Sequence, residues 1–233
     1  MVEKSKRVVI SGAAGALGAA VAQAFATAGG QLALIDKAAD SKDLLKTLGG
    51  GSHIFLGDID LADAGQAQHA LDTAAAKLGG IDVLVNVAGG FRWETIADGK
   101  VDTWDFLYTI NLRTALYATK AALPHLVAAR GRIINIGAAA VAKAGAGMGA
   151  YAASKSAVIK LTEALAEELK DKAVNVNAVL PSIIDTPVNR ADMPSADFSR
   201  WVTPAALADV ILFLSSDAAR AITGASIPVS GRV

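Results

Sequence analysis

Residues 8–25 read VVISGAAGALGAAVAQAF: an uncharged β-branched run, glycines at positions 12, 15 and 18, then an alanine-rich stretch. A strand ending on such a turn must pass at once into a helix packed back against it. Glycine is required there for three reasons: the chain turns tightly, a phosphate comes close to the backbone, and helix and strand touch with no side chain between them. The N-terminus of the helix then adds free N–H donors and a partial positive charge. In this strand-turn-helix setting the spacing points to a dinucleotide, whereas isolated glycines would be read as packing residues.

The same alternation continues along the chain. Short apolar runs, continuous as in strands covered on both faces, fall at residues 7–11, 31–36, 52–57, 82–87, 132–136, 174–180 and 225–229. Helices are predicted over residues 16–28, 61–78, 101–129, 151–169 and 204–214, the last opened by a proline suited to a first turn. Alternating strands and helices specify the α/β class: one Rossmann-type doubly wound domain over residues 1–233, with a parallel sheet of about seven strands and helices on both faces. No linker or repeat divides it. The irregular stretch at residues 181–202 is too long for a plain connection and reads as a substrate lid.

Composition removes several classes of function. Lys+Arg and Asp+Glu both number 22, so no net charge draws nucleic acid or an anionic membrane to the surface. The absence of cysteine excludes disulfides, thiolate metal sites and a cysteine nucleophile. His53, His69 and His125 stand apart without ligand spacing, and no metal is expected. The opening MVEKSKRVVISG has no signal-peptide pattern, so a cytoplasmic location is the expectation. Residues 8–35 are uncharged and long enough to span a membrane, but five glycines with Gln23 and Gln31 make them a buried β-α-β unit instead.

Candidate chemistry lies at the predicted strand ends. Asp36 stands 18 residues after Gly18, where a carboxylate can accept from both ribose hydroxyls and repel a 2′-phosphate. NAD(H) is favoured, and Lys37 beside it keeps NADP(H) open. Asp58 and Ile59, after the third strand, can frame the adenine. Tyr151 and Lys155 are i and i+4, hence on one helical face. A nearby ammonium lowers the phenol pKa and lets the tyrosine give a proton as hydride is delivered. Aromatic residues make up only 5% of the chain, so Phe91, Trp93 and Trp201 are candidates to wall a flat substrate ring. Trp104 is expected in the core, and Arg92 and Arg190 either solvated or on a polar substrate edge.

The segments SGAAGALG (11–18), VNVAG (85–89), INL (110–112), YAASK (151–155) and LPSIIDTP (180–187) together resemble the short-chain dehydrogenase/reductase family along the whole chain. The resemblance implies that Tyr151 is the general acid, that Lys155 binds the nicotinamide ribose and tunes Tyr151, that Asn111 holds a relay water, and that Thr186 touches the carboxamide. It places the cofactor against Ser11, Gly12, Gly15, Ala16, Leu17 and Gly18, against Asn86, Ala88 and Gly89, and against Pro181, Ile184 and Thr186. A homodimer or homotetramer, joined through the helices at 101–129 and 151–169, is also implied.

Two positions depart from that pattern. The catalytic serine expected 13 residues before the tyrosine is Ala138, and the second asparagine of the usual NNAG is Val87. Within the family, the dihydropteridine reductases are similar in carrying alanine at that position, a GALG turn, VAGG followed by an aromatic, a glycine-methionine approach to the tyrosine (Met148 here), and a segment like residues 180–201. Losing an oxyanion donor costs about 10²–10³ in rate at a carbonyl. A quinonoid dihydropterin instead takes hydride into a conjugated ring whose charge spreads over nitrogens, so the serine is less needed. Ala138, Phe91, Trp93, Met148 and Trp201 then form the substrate side. Two other readings stay open: a general ketoreductase or alcohol dehydrogenase for ketones, quinones or acyl thioesters, and a non-catalytic dinucleotide sensor, since fold alone does not guarantee activity.

Overall fold

Alternate residues along each strand face opposite helical layers. In β1 (Arg7–Ser11) Val8 and Ile10 pack on one side of the sheet and Val9 on the other; in β2 (Gln31–Ile35) Leu32 and Leu34 oppose Ala33 and Ile35. Both faces are apolar because both are covered. The computed structural model describes residues 5–40 and 42–233. Its remaining strands are β3 (Ile54–Leu56), β4 (Val83–Asn86), β5 (Arg132–Ile136), β6 (Asn175–Pro181) and β7 (Ser226–Val229), and all seven run parallel in the order β3-β2-β1-β4-β5-β6-β7.

One layer contains α1 (Ala16–Thr27) and α8 (Pro204–Leu214), with Val21, Phe25, Leu207 and Ile211 against the sheet. The opposite layer holds α3 (Ala64–Leu78), α5 (Thr114–Ala129) and α6 (Gly149–Leu169), which meet through Ala70, Leu71, Ala74, Ala118, Ala122 and Leu165. Because the strand order reverses between β1 and β4, their carboxyl ends open a crevice, the usual ligand position in such sheets.

Several expectations need correction. Helix α3 begins at Ala64 rather than 61 because the Asp63 carboxylate caps it, accepting from Gln66 N at 2.8 Å. Two six-residue helices, α2 (Lys42–Thr47) and α7 (Pro187–Asp192), are additional. The single helix expected over 101–129 is α4 (Val101–Tyr108), a π-turn at Thr109–Arg113, and then α5. Trp104 is not in the core but 41% exposed, since α4 buries only the stripe of Thr103 and Leu107.

The region after β6 folds as α7 and a 3₁₀ turn at Phe198–Arg200. Its two ends are fastened to the residues after β7. Ser182 Oγ donates to Ser230 O at 2.9 Å, and the Arg200 guanidinium donates to Arg232 O at 2.7 and 2.9 Å. Among the described residues no helix is long and apolar enough to cross a membrane, and no group of three or more metal-ligating side chains is present.

Candidate active site

The glycine turn is shaped by contact. Gly12 leaves β1 at φ +63, and a Cβ there would lie 2.8 Å from the backbone N and Cα of Ala88; a Cβ on Gly18 would overlap the Gly12 carbonyl oxygen. Gly15 has room by comparison, with Gly12 O at 3.4 Å from such a Cβ. As the N-cap of α1 it carries no side-chain cap, and no acid follows in the first turn. The leading N–H groups of α1, including those of Ala16 and Leu17, have no intrahelical acceptor. Ser11 Oγ accepts from Val87 N and Ala88 N, both at 3.1 Å, and so ties the ends of β1 and β4 together behind the turn. The result fits a dinucleotide pyrophosphate.

Asp36 lies at the lip of this turn. Its Oδ2 accepts from Ala14 N at 2.9 Å and its Oδ1 from Ala38 N at 3.0 Å. Lys37 pairs instead with Asp60 at 2.8 Å, and that bond holds the Asp60 carboxyl below the ordinary carboxylate range. Ile59 N donates to Asp36 O at 3.1 Å, while Asp58 adopts φ +57, so residues 58 and 59 run beside Asp36.

At the other side of the crevice, Lys155 is buried and its Nζ donates to Ile136 O at 2.8 Å. Burial pushes its amine down to about 8 and pushes the Tyr151 phenol up to about 12. The phenol therefore moves opposite to the expectation from an adjacent ammonium. Loss of solvent dominates, and Lys155 is engaged by a backbone carbonyl. Phe91 packs edge-on against the Tyr151 ring, with centroids 5.0 Å apart at 85°.

Asn111 occupies the π-turn, a feature that concentrates at functional sites. Its Oδ1 accepts from Gly90 N at 2.9 Å, and its Nδ2 donates to Gly90 O at 3.1 Å and Ser154 Oγ at 3.0 Å. The side chain thus joins the end of β4 to the helix that carries Tyr151. Asn86, expected against the cofactor, is buried at the end of β4; its Nδ2 donates to Thr119 Oγ1 at 3.0 Å and Asn135 Oδ1 at 2.8 Å, while its own Oδ1 meets no hydrogen-bond donor. Asn135 Nδ2 continues to Thr162 Oγ1 at 2.9 Å. Sequence reasoning missed Ser154, Thr119, Thr162 and Asn135. The last had a signal, an asparagine within the apolar strand RIINI.

Ala138 is buried and extended directly after β5. Trp93, 59% exposed, lies over Gly147, where φ is +72 and a Cβ would overlap the indole; Glu94 N also donates to Gly147 O at 3.0 Å. Met148 is the half-buried N-cap of α6. Trp201, only 7% exposed, packs on Phe198 within the lid, so of the predicted aromatic wall Phe91 and Trp93 keep free ring surface. Thr186 caps α7, accepting from Asn189 N at 3.2 Å, and Ile184 bridges to Val202. Pro181 ends β6 against Val229. Arg190 is clamped by Asp185 and sits over the Phe198 ring, while Arg92 lies over Phe106; both remain solvent-exposed, as solvated arginines do.

The buried lysine makes stability depend on pH. Between pH 8 and about 10 the unfolded chain keeps the Lys155 proton while the folded protein releases it. Stability of the unliganded protein therefore rises with pH there, by about 2 kcal/mol from this group. Tyr151, raised in the fold, opposes this only as pH passes about 10. Thermal melts from pH 7 to 10 should show the rise, and Lys155→Met should flatten it; an unchanged slope in that variant would place the titration elsewhere.

Comparison with known proteins identifies the class. Residues 6–196 match the family model described as short chain dehydrogenase. The chain is 35% identical to D-threitol dehydrogenase of Mycolicibacterium smegmatis over 97% of its own length and 92% of that protein. It is 33% identical to meso-2,3-butanediol dehydrogenase of Serratia marcescens, with 97% and 94% covered. Carveol dehydrogenase from Mycobacterium avium, solved in complex with NAD, superposes with a TM-score of 0.86 at 26% identity, covering 98% of this chain and 97% of that one. The chain belongs to the short-chain dehydrogenase/reductase family. It is an NAD(P)-dependent oxidoreductase with a seven-stranded, all-parallel Rossmann-like sheet.

Proposed function

We propose that this enzyme uses NAD(H) to deliver hydride to a small conjugated ring, in the manner of a dihydropteridine reductase, with Tyr151 as proton donor. Ala138 carries the reading. The segment that should supply the second hydroxyl, residues 136–148, contains no serine or threonine, and a substrate that spreads its charge over ring nitrogens has least need of one. Asp36 supports NAD(H): its carboxylate is held by two backbone amides at the lip of the turn, and Lys37 is drawn off to Asp60.

The nicotinamide supplies or accepts hydride when bound. The chain supplies the rest. The glycine turn and the N-terminus of α1 hold the pyrophosphate, with residues 58–59 beside the adenine and Thr186 and Ile184 near the lid. A phenol at about 12 stays protonated near neutrality, the form a proton donor requires. Lys155, at about 8, changes charge near the working pH and can replenish Tyr151 through water held near Asn111. The active form is a homodimer or homotetramer built on α4, α5 and α6.

A second reading has its own support: the similar D-threitol and meso-2,3-butanediol dehydrogenases are named for vicinal diols. Here the site would oxidise an alcohol or reduce a ketone without its usual hydroxyl. Initial rates with NADH and NADPH against quinonoid dihydropterin, acetoin and a ketone panel, for the wild type and Ala138→Ser, separate the two. The ring reading expects dihydropterin turnover with NADH that serine does not improve. Ketone turnover rising by about 10²-fold in Ala138→Ser would establish the carbonyl reading instead.

A further inference from the structure

We propose that Thr162 is a positioning residue for the proton-transfer step: through Asn135 it pins α6 to β5 and so holds Tyr151 and Lys155 in place over the sheet. The inference rests on the assignment of Tyr151 as proton donor, and it is the same for a ring substrate or an open-chain one.

The helix is fastened to the strand at two points. Lys155 Nζ donates to Ile136 O at 2.8 Å, and Asn135 Nδ2 donates to Thr162 Oγ1 at 2.9 Å, so two successive residues of β5 hold two residues of α6. Lys155 and Thr162 lie two helical turns apart on one face, about 10 Å along the axis. One attachment would let the helix slide or pivot. Two remove both freedoms, and they differ in stiffness. Lys155 reaches its carbonyl on a flexible four-carbon stem. Thr162 is short, β-branched and fully buried, and its hydroxyl is fixed by donating to Val158 O at 2.9 Å, one turn earlier. It is the stiffer of the two pins.

The same hydroxyl sets the direction of a buried polar chain beneath the site. Its one hydrogen is committed to Val158 O, so its oxygen can only accept. Asn135 then turns Nδ2 toward α6 and Oδ1 toward Asn86, and Asn86 answers with Nδ2, which also donates to Thr119 Oγ1 on α5 at 3.0 Å. Asn86, Thr119, Asn135 and Thr162 are all buried. Their chain ties α5 and α6 to β4 and β5, and its cost is visible at the far end, where Asn86 Oδ1 faces no donor. An all-apolar layer would carry no such cost. Tyr151 stands in the first turn of the helix held in this way, so a shift of the helix at Thr162 is carried to the phenol.

The test compares wild type with Thr162→Val, Thr162→Ala and Thr162→Ser, using NADH and the probe from the panel above that the wild type turns over fastest. Valine keeps the shape of the side chain and removes only its acceptor. The expected result is a kcat lower by about 10–100-fold in Thr162→Val and Thr162→Ala, the scale set by misplacing a reacting group by about 1 Å, with NADH affinity close to wild type and most of the loss recovered in Thr162→Ser. A kcat within about twofold of wild type in a folded Thr162→Val overturns the proposal, as does a loss confined to KM. Failure of both Thr162→Val and Thr162→Ala to fold would make the hydroxyl a requirement of the fold alone and overturns it too. In a Tyr151→Phe background Thr162→Val should add little further loss; full additivity would show that Thr162 acts independently of the phenol. Should Tyr151→Phe itself retain full turnover, the proton-donor reading fails, and a measurement without substrate decides the placing of α6. With ¹³Cε-labelled lysine, and Lys155→Met to assign the signal, the Lys155 amine should titrate away from its wild-type pH in Thr162→Val and return to it in Thr162→Ser. Coincident titrations in all three proteins overturn the proposal.

Discussion

Tyr151→Phe is expected to lower turnover by about 10²–10⁴-fold, the range for loss of a positioned proton donor, while leaving dinucleotide affinity close to wild type. Phenylalanine keeps the ring that meets Phe91 and removes only the hydroxyl. The glycine turn and Asp36 belong to other elements and are untouched. Initial rates combined with fluorescence titration of NADH distinguish the two effects. Unchanged turnover would place the proton donor elsewhere, and Lys155, buried beneath the site, would lose its assigned purpose.

Gly18→Ala should act at the opposite wall of the crevice and through the backbone. Its methyl group would overlap the Gly12 carbonyl oxygen and come within 2.7 Å of Ala13 Cα, atoms that cannot swing aside as a side-chain tip can. Overpacking of this kind costs about 3 kcal/mol, or a Tm lower by roughly 6–12 °C for a domain of this size. The displaced turn should also weaken dinucleotide binding by more than about tenfold, because each 1.4 kcal/mol lost is a factor of ten. Gly15→Ala is the matched control: its methyl meets only Gly12 O at 3.4 Å, so the fold should survive while the cradle is obstructed. Equal melting temperatures for wild type and Gly18→Ala would show that the turn can relax.

Much of this arrangement is legible in the chain because it rests on continuous apolar runs and on glycine spacing. A sheet covered on both faces gives uninterrupted apolar runs, and each of the seven runs is a strand. Gly12 and Gly18 reveal themselves because contact with Ala88 and with the turn's own carbonyl leaves no alternative. Six-residue helices such as α2 and α7 are shorter than two turns and leave no periodic signature. Trp104 misleads because hydrophobic bulk alone does not reveal which face of α4 turns inward. The direction of the Tyr151 displacement is also hidden, since a neighbouring lysine is visible in sequence but the loss of solvent is not. Asn86 and Asn135 lie between: an asparagine within an apolar strand is conspicuous, but whether it faces a ligand or another buried amide depends on register, here the direct pairing of these two residues across β4 and β5.

The π-turn at Thr109–Arg113 imposes a rule about length. A π-turn holds one residue more than the α-helical path it interrupts. Deleting any one of those five residues would rewind the segment as ordinary helix without turning α5 against α4, because the bulge already absorbs the extra residue locally. Ala118, Ala122 and Leu126 would keep their places against α3 and the sheet, while Asn111 would leave Gly90. Between Thr109 and Arg113 the residue count is itself part of the active site.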